Sequence, residues 1–224
     1  MYLVKSPKWL KLLYPKFIWD IPVEKEEKII YLTFDDGPHP VATTFVLDKL
    51  KQYNAKATFF CIGNNVTNHP DIYQRILNEG HTAGNHTYNH LNGKKVSDAE
   101  YIKDIQKAAE VIDSRLFRPP YGRITKFQSK VVRGELGIGN DPNKPPGFKI
   151  IMWSVLAGDW DNKLDGNKCA ENIISNTKPG SIIVFHDSEK AWDRLQIALV
   201  RVLEYFAAKG YRFDSLPKES ILKS

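Results

Sequence analysis

The sequence predicts an α/β fold on a parallel sheet, and three observations carry the prediction. Seven short β-branched or aromatic runs alternate with segments of helical apolar spacing, the order of βαβ units. Runs such as Ser181-Ile182-Ile183-Val184-Phe185 are continuously apolar, which suits strands covered on both faces. Polar residues capable of chemistry stand just after the predicted strand ends, where parallel architectures gather their loops around one mouth. A barrel and an open doubly wound sheet both satisfy this order.

The first strand is Ile29–Phe34, which runs into the turn signal Asp35-Asp36-Gly37-Pro38. Val41, Phe45, Val46, Leu50 and Tyr53 then keep helical spacing over Val41–Tyr53. Three more strand–helix pairs follow: Ala57–Ile62 with Asp71–Asn78, His81–Asn85 with Asp98–Ser114, and Leu116–Arg118 with Lys126–Leu136. Lys149–Ser154 pairs with a helix over Lys168–Asn176, and Ser181–Phe185 with a long one from Ala191 to Lys209. Tyr211–Phe213 reads as the last strand. Gly137–Phe148 and Ala157–Gly166 read as loops, and neither marks a domain boundary.

At 224 residues, 42% hydrophobic and 26% charged, the chain suits one compact domain. Collagen-like, disulfide-scaffold and disordered classes are excluded by the same figures. No run reaches the roughly 18 uninterrupted apolar residues of a membrane span. The net charge of +6 is spread along the chain, which favours a solvated surface over a nucleic-acid footprint. Cys61 and Cys169 lie far apart with no CxxC spacing, so zinc-ribbon and thioredoxin-type motifs are absent.

Residues 1–28 are expected to form an N-terminal segment packed across one end of a domain spanning 29–224. Trp9, Leu10, Leu12, Leu13, Phe17 and Ile18 are interrupted by Lys11, Pro15 and Lys16, which breaks the unbroken stretch of roughly 7–15 apolar residues that a secretory signal needs. A cytoplasmic location is therefore the default expectation, with action at the cell envelope as the alternative. A basic amphipathic segment lying on a membrane is the alternative to packing.

The chemistry gathers at five predicted strand ends. Asp35 and Asp36 are adjacent carboxylates whose side chains diverge, so one can bind a metal while the other faces a water; an Asp-Gly-Pro turn capping a helix reads as well. His86-Thr87-Tyr88-Asn89-His90 carries two imidazoles four residues apart, which share one face if the stretch is helical. With Asp36 they make an Asp-His-His set. Nitrogen and oxygen ligands without thiolate favour Zn²⁺, Co²⁺, Ni²⁺ or Fe²⁺ over Ca²⁺ or Mg²⁺. His186 closes an apolar strand on the same rim, and Arg118-Pro119-Pro120-Tyr121-Gly122 can hold a guanidinium and a backbone N–H in a defined place. Gly158-Asp159-Trp160 sets a carboxylate beside an aromatic wall. His39, His69 and His81 have no comparable constellation and read as structural.

Thr33-Phe34-Asp35-Asp36-Gly37-Pro38, His86–His90, Arg118–Gly122, Asp159-Trp160 and Val184-Phe185-His186-Asp187 occur in that order. Together they resemble the five motifs of the polysaccharide deacetylases (carbohydrate esterase family four, the NodB-like domain), over about Ile29 to Leu216. The resemblance implies a distorted parallel (β/α) barrel, commonly seven-stranded. It implies that Asp36, His86 and His90 are metal ligands, Asp35 the base, His186 the acid, Arg118 the residue orienting the base and Asp159 the one orienting the acid. Trp160 and Val184 would line the acetyl pocket. The chain departs from the family pattern at Leu156, where members often carry Asp, at Val184, where they often carry Leu, and in the length of the Gly137–Phe148 loop.

The implied function is metal-assisted removal of N-acetyl groups from an amino-sugar polysaccharide of peptidoglycan or chitin type. One divalent ion is expected, zinc first, with cobalt or nickel as substitutes. Asp35 would deprotonate the water, the Tyr121 backbone N–H would help hold the oxyanion, and His186 would protonate the departing amine. The alternatives are an O-acetyl esterase of xylan type and a non-catalytic barrel that binds glycan or metal. The partner is an acetylated glycan; a monomer suffices for this chemistry, and the sequence does not set the oligomeric state.

Overall fold

The computed structural model describes residues 3–136 and 147–217. Eight strands and eight α-helices lie among them. In chain order these are α1 (Lys8–Leu13), β1 (Ile29–Asp35), α2 (Ala42–Gln52), β2 (Ala57–Cys61), α3 (Gly63–Asn68), α4 (Pro70–Asn78), β3 (Thr82–Asn85), α5 (Asp98–Ala109) and β4 (Leu116–Phe117). Then come α6 (Lys126–Val132), β5 (Lys149–Ile150), β6 (Val155–Leu156), α7 (Gly166–Ile174), β7 (Ile182–His186), α8 (Trp192–Ala208) and β8 (Arg212–Phe213). Seven strands follow one path in the order β5-β4-β3-β2-β1-β7-β6, every pair parallel.

The two ends of that path are joined by Ile151–Ser154 alone, a reach of at most about 17 Å. The sheet therefore curls on itself into an incomplete barrel, open between β5 and β6. Strand periodicity divides β1 between two environments. Ile30, Leu32 and Phe34 join Leu47, Leu199 and Val202 in the core under the helices, while Ile29 and Tyr31 meet Phe60, Ile151 and Ile182. Thr33 and Asp35 continue that second row to the rim. β7 splits likewise, with Ile183 and Phe185 under the helices. That alternation sends every second residue of a continuously apolar strand toward the site.

Residues 4–20 run along the open seam. Ser6 N–H donates to Ser154 O (3.0 Å) and Leu156 N–H to Val4 O (2.9 Å) on the β6 side. Ile18 N–H donates to Ile150 O (2.9 Å) and Met152 N–H to Ile18 O (2.7 Å) on the β5 side. Phe17 and Trp19 are buried with Tyr101, Ile105, Phe117 and Ile150.

Several expectations are corrected. The run Lys149–Ser154 is not one strand: it leaves the sheet after Ile150, because the carbonyls of Ile151 and Met152 turn to the Arg118 guanidinium. The barrel's seventh strand is β6, while β8 pairs only with the first two residues of β1. α3 was not anticipated, since Gly-Asn-Asn-Val-Thr-Asn is a poor helix former. α6 stops at Val132 rather than Leu136, with Gly134 at φ 73 just beyond it. Of the loop Gly137–Phe148, residues 137–146 lie outside the described residues.

Candidate active site

Asp35 ends β1 on its inward row, and Asp36 follows at φ 86. This left-handed step swings the second carboxylate away from the first. Gly37 N–H donates to the buried Asp187 carboxylate (3.0 Å). A Cβ on Gly37 would lie 2.1 Å from Asp187 Oδ2, so glycine is required there. The Asp36 carbonyl accepts from Asn65 Nδ2 at 2.7 Å. Burial, foremost, pushes the Asp187 carboxyl up to about 8, against the pull of the Thr43 hydrogen bond.

The stretch His86–His90 is not helical, which corrects the one-face expectation. Thr87 and His90 have φ 64 and 56, and the loop is pinned from behind. Asn85 Oδ1 accepts from Thr87 N–H at 2.8 Å. The buried Asp104 carboxylate of α5 accepts from the backbone N–H groups of Tyr88 (3.0 Å) and Asn89 (2.9 Å) and from Asn89 Nδ2. The two imidazoles still meet, with ring centroids 5.1 Å apart. Their Nε2 atoms lie 3.7 Å (His86) and 3.2 Å (His90) from Asp36 Oδ1.

These three residues fit a divalent cation. One ligand atom from each lies within 4.8 Å of the others, and Asp36 Oδ1 is buried without a well-aligned hydrogen bond. His86 Nδ1 faces the Arg118 carbonyl at 2.7 Å; with a proton on Nδ1, the lone pair on Nε2 is free to point at Asp36. Burial, the largest influence, lowers His86 to about 4, so it is neutral at pH 7. Burial alone would raise Asp36, but its hydrogen bond to His90 and the neighbouring His186 and His86 hold it well below the usual carboxylate range.

Behind this set sits Arg118, fully buried. Its Nη1 donates to Asp35 Oδ1 (2.6 Å) and Thr33 Oγ1 (2.7 Å), Nη2 to Met152 O (3.0 Å) and Nε to Ile151 O (3.3 Å). The guanidinium also lies 4.1 Å over the Phe60 ring. Across the mouth, His186 Nδ1 meets Asp159 Oδ1 at 2.8 Å, and Asp159 Oδ2 accepts the His186 backbone N–H at 2.8 Å. Burial would lower His186, but the Asp159 charge and hydrogen bond, with Asp36 and Asp35, raise it to about 9. The Trp160 ring stands edge-on to His186 at 4.8 Å, and the Tyr121 ring lies 4.6 Å from that of His90.

Asp35, Asp36, His86, His90, Tyr121, Trp160, Val184 and His186 all line one cavity of about 740 Å³. Arg118 and Asp159 lie buried behind it. Leu156 shares the lining. Asp104, Asn85 and Asn65 were not singled out from sequence, and Asp187 was read only as the last residue of the fifth motif, with no role. Asp104 did leave a signal, a carboxylate among the buried helix positions Tyr101, Ile105 and Ala108. Of the remaining histidines, His39 Nδ1 accepts the Ala42 N–H (3.1 Å) at the start of α2, and buried His81 accepts the Ala57 N–H (3.3 Å).

A sequence model of the polysaccharide deacetylase family matches residues 23–137. The chain belongs to this family. A peptidoglycan-N-acetylglucosamine deacetylase of Bacillus cereus is 38% identical over 88% of this chain and 69% of its own length. A chitooligosaccharide deacetylase of Azorhizobium caulinodans is 36% identical over 87% of this chain and 96% of its own. Among solved structures, the Bc1960 peptidoglycan N-acetylglucosamine deacetylase, in complex with an N-oxidanyl-benzamide, superimposes with a TM-score of 0.81 at 33% identity, covering 96% of this polysaccharide deacetylase chain and all of the other. The distorted parallel barrel expected from the motifs is thus the fold of the chain and of its relatives.

Proposed function

We propose that the chain is a divalent-metal-dependent deacetylase that removes N-acetyl groups from an amino-sugar polysaccharide of peptidoglycan or chitin type. The observation that carries this is the convergence of Asp35, His186 and the Asp36–His86–His90 group on one cavity. The relatives named as peptidoglycan and chitooligosaccharide deacetylases support the substrate class.

Asp36, His86 and His90 would hold the cation, which when bound supplies Lewis acidity toward the acetamide carbonyl and lowers the pKa of water. Asp35 is the proton acceptor, and Arg118 fixes its carboxylate so that one oxygen faces the cavity. His186, kept protonated by Asp159, delivers a proton to the departing nitrogen. An amine leaves poorly unless protonated, so a raised acid on this rim favours amides over esters. Tyr121 lines the cavity, and its backbone N–H would serve as the oxyanion donor. Val184, Trp160 and Leu156 supply apolar wall for the acetyl methyl.

The test is acetate release from N-acetylglucosamine oligomers, peptidoglycan and acetylated xylan by the metal-loaded protein. Asp35→Asn and His186→Ala should each cut turnover about 10²–10⁴-fold with bound metal retained. Full activity in either variant rejects its role, and preference for xylan moves the assignment to the esterase.

A further inference from the structure

The N-terminal segment presents two different surfaces. Its inner side is bonded to the seam through Val4, Ser6 and Ile18, and Leu10, Tyr14, Phe17 and Trp19 pack into one core cluster. Among the described residues, its outer side is left uncovered. Trp9, Leu12 and Leu13, spaced i, i+3 and i+4 on α1, are 61%, 79% and 61% exposed, and Leu3 is 55% exposed. They are four of the nine large apolar side chains exposed among the described residues. A cluster of this kind marks a binding surface, where single exposed apolar residues mark nothing.

Charge identifies the occupant. The first 19 residues hold Lys5, Lys8, Lys11 and Lys16 and no Asp or Glu, supplying four of the chain's six net positive charges. Lys11 pairs with Asp20 and Lys16 with Glu135. Lys5 and Lys8 stay exposed beside the apolar face, Lys8 one helical turn before Leu12. A second copy docked across a two-fold axis would set these lysines against their equivalents with no carboxylate in the segment to answer them. Trp and Leu flanked by lysine match the boundary of an anionic bilayer, where the rings and methyls enter the headgroup region and the ammonium groups meet phosphate.

We infer that the outer face of residues 3–13 seats the protein on an anionic lipid surface. The contact borders the catalytic cavity, since Ser6 Oγ donates to Trp153 O (2.6 Å) and Val4 O accepts from Leu156 N–H, and Trp153 and Leu156 line that cavity. One seam therefore carries the lipid contact and part of the cavity wall.

Vesicle co-sedimentation tests this independently of turnover. The full chain should pellet with equimolar phosphatidylcholine–phosphatidylglycerol vesicles. The pair Lys5→Gln and Lys8→Gln should weaken partitioning about twenty-fivefold, about fivefold for each lysine. The triple variant Trp9→Ser, Leu12→Ser, Leu13→Ser should return it to the vesicle-free background while acetate release from soluble oligomers stays unchanged. Leu12→Asp alone, at the most exposed position, should lower binding about tenfold and serves if the triple variant loses its circular dichroism. The inference is overturned if the native chain stays in the supernatant, or if the apolar variants pellet as it does. It is also overturned if sedimentation velocity shows a dimer that the triple variant dissociates, which gives the face to a second copy.

Discussion

Asp35 and His186 occupy matching positions on adjacent parallel strands, Asp35 at the end of β1 in register with His186 at the end of β7. Both therefore emerge on the same face of the sheet, about one strand spacing (4.7–4.9 Å) apart at the backbone. Behind each stands a buried partner, Arg118 for the carboxylate and Asp159 for the imidazole. A proton acceptor and a proton donor are thereby built from two neighbouring strand ends, with no loop required to bring them together.

This arrangement sets a pH limit. The acid works while protonated, so turnover should hold below the His186 value of about 9 and fall as pH rises through it. Asp159→Asn removes the charge that raises His186, so the fall should move down toward or below the ordinary 6.5. The stability linkage has the same direction: the contribution of protonated His186 is complete below 6.5 and is lost as pH climbs through about 9. A pH–rate profile of both proteins checks this; coincident alkaline limbs would contradict the Asp159 role.

Arg118 is the most interlocked side chain of the site. Arg118→Met leaves the Asp35 carboxylate buried with its cation gone and takes the donors from Thr33, Ile151 and Met152. The expected loss is about 3–5 kcal/mol, with Arg118→Lys intermediate because one ammonium cannot replace the fork. Urea unfolding measures it, and a loss under about 1 kcal/mol for Arg118→Met would show that the pair carries no such weight.

Asp104 touches none of the reacting groups and acts through the loop it pins. Asp104→Ala frees the N–H groups of Tyr88 and Asn89, so His90 loses its fixed placement. Zinc affinity should fall about 10–100-fold, as when a ligand's supporting shell is removed, while turnover at saturating zinc changes far less. Calorimetric zinc titration distinguishes this from simple destabilisation, which would leave affinity of the folded protein unchanged.

His81 offers a stability test away from the site. Burial, ahead of the Lys56 charge, lowers it to about 4. The fold thus favours neutral imidazole, and the associated stability, at most about 3 kcal/mol, is present above 6.5 and lost as pH falls through about 4. His81→Gln can still accept the Ala57 N–H without titrating, so its stability should decline less between those limits. Parallel curves would contradict the assignment.

The parts of the molecule legible in the sequence are those written in continuous pattern. β1, β2 and β7 carry enough β-branched and aromatic residues to declare themselves, and seven polar site residues (Asp35, Asp36, His86, His90, Arg118, Asp159 and His186) follow strand ends in the order of elements, whereas the pocket roles of Trp160 and Val184 came from the family motifs. Two-residue strands carry no period, which is why β6 went unread between the run Lys149–Ser154 and the loop that starts at Ala157, and why β5 was drawn too long. The loop at His86–His90 looked helical because four-residue spacing is a helix signature, whereas two left-handed residues bring the rings together by another route. Asp104 and Asp187 act through backbone N–H groups, and a residue that braces another's backbone leaves only a misplaced charge on a buried face as its trace.

The most direct test of the metal-centred reading is acetate release from N-acetylglucosamine oligomers by chelator-dialysed protein as zinc is returned. Activity should start near zero, rise in proportion to added zinc and saturate at one equivalent per chain, with no rise for Asp36→Ala. Equal acetate release before and after zinc, or an undiminished response in Asp36→Ala, would contradict it.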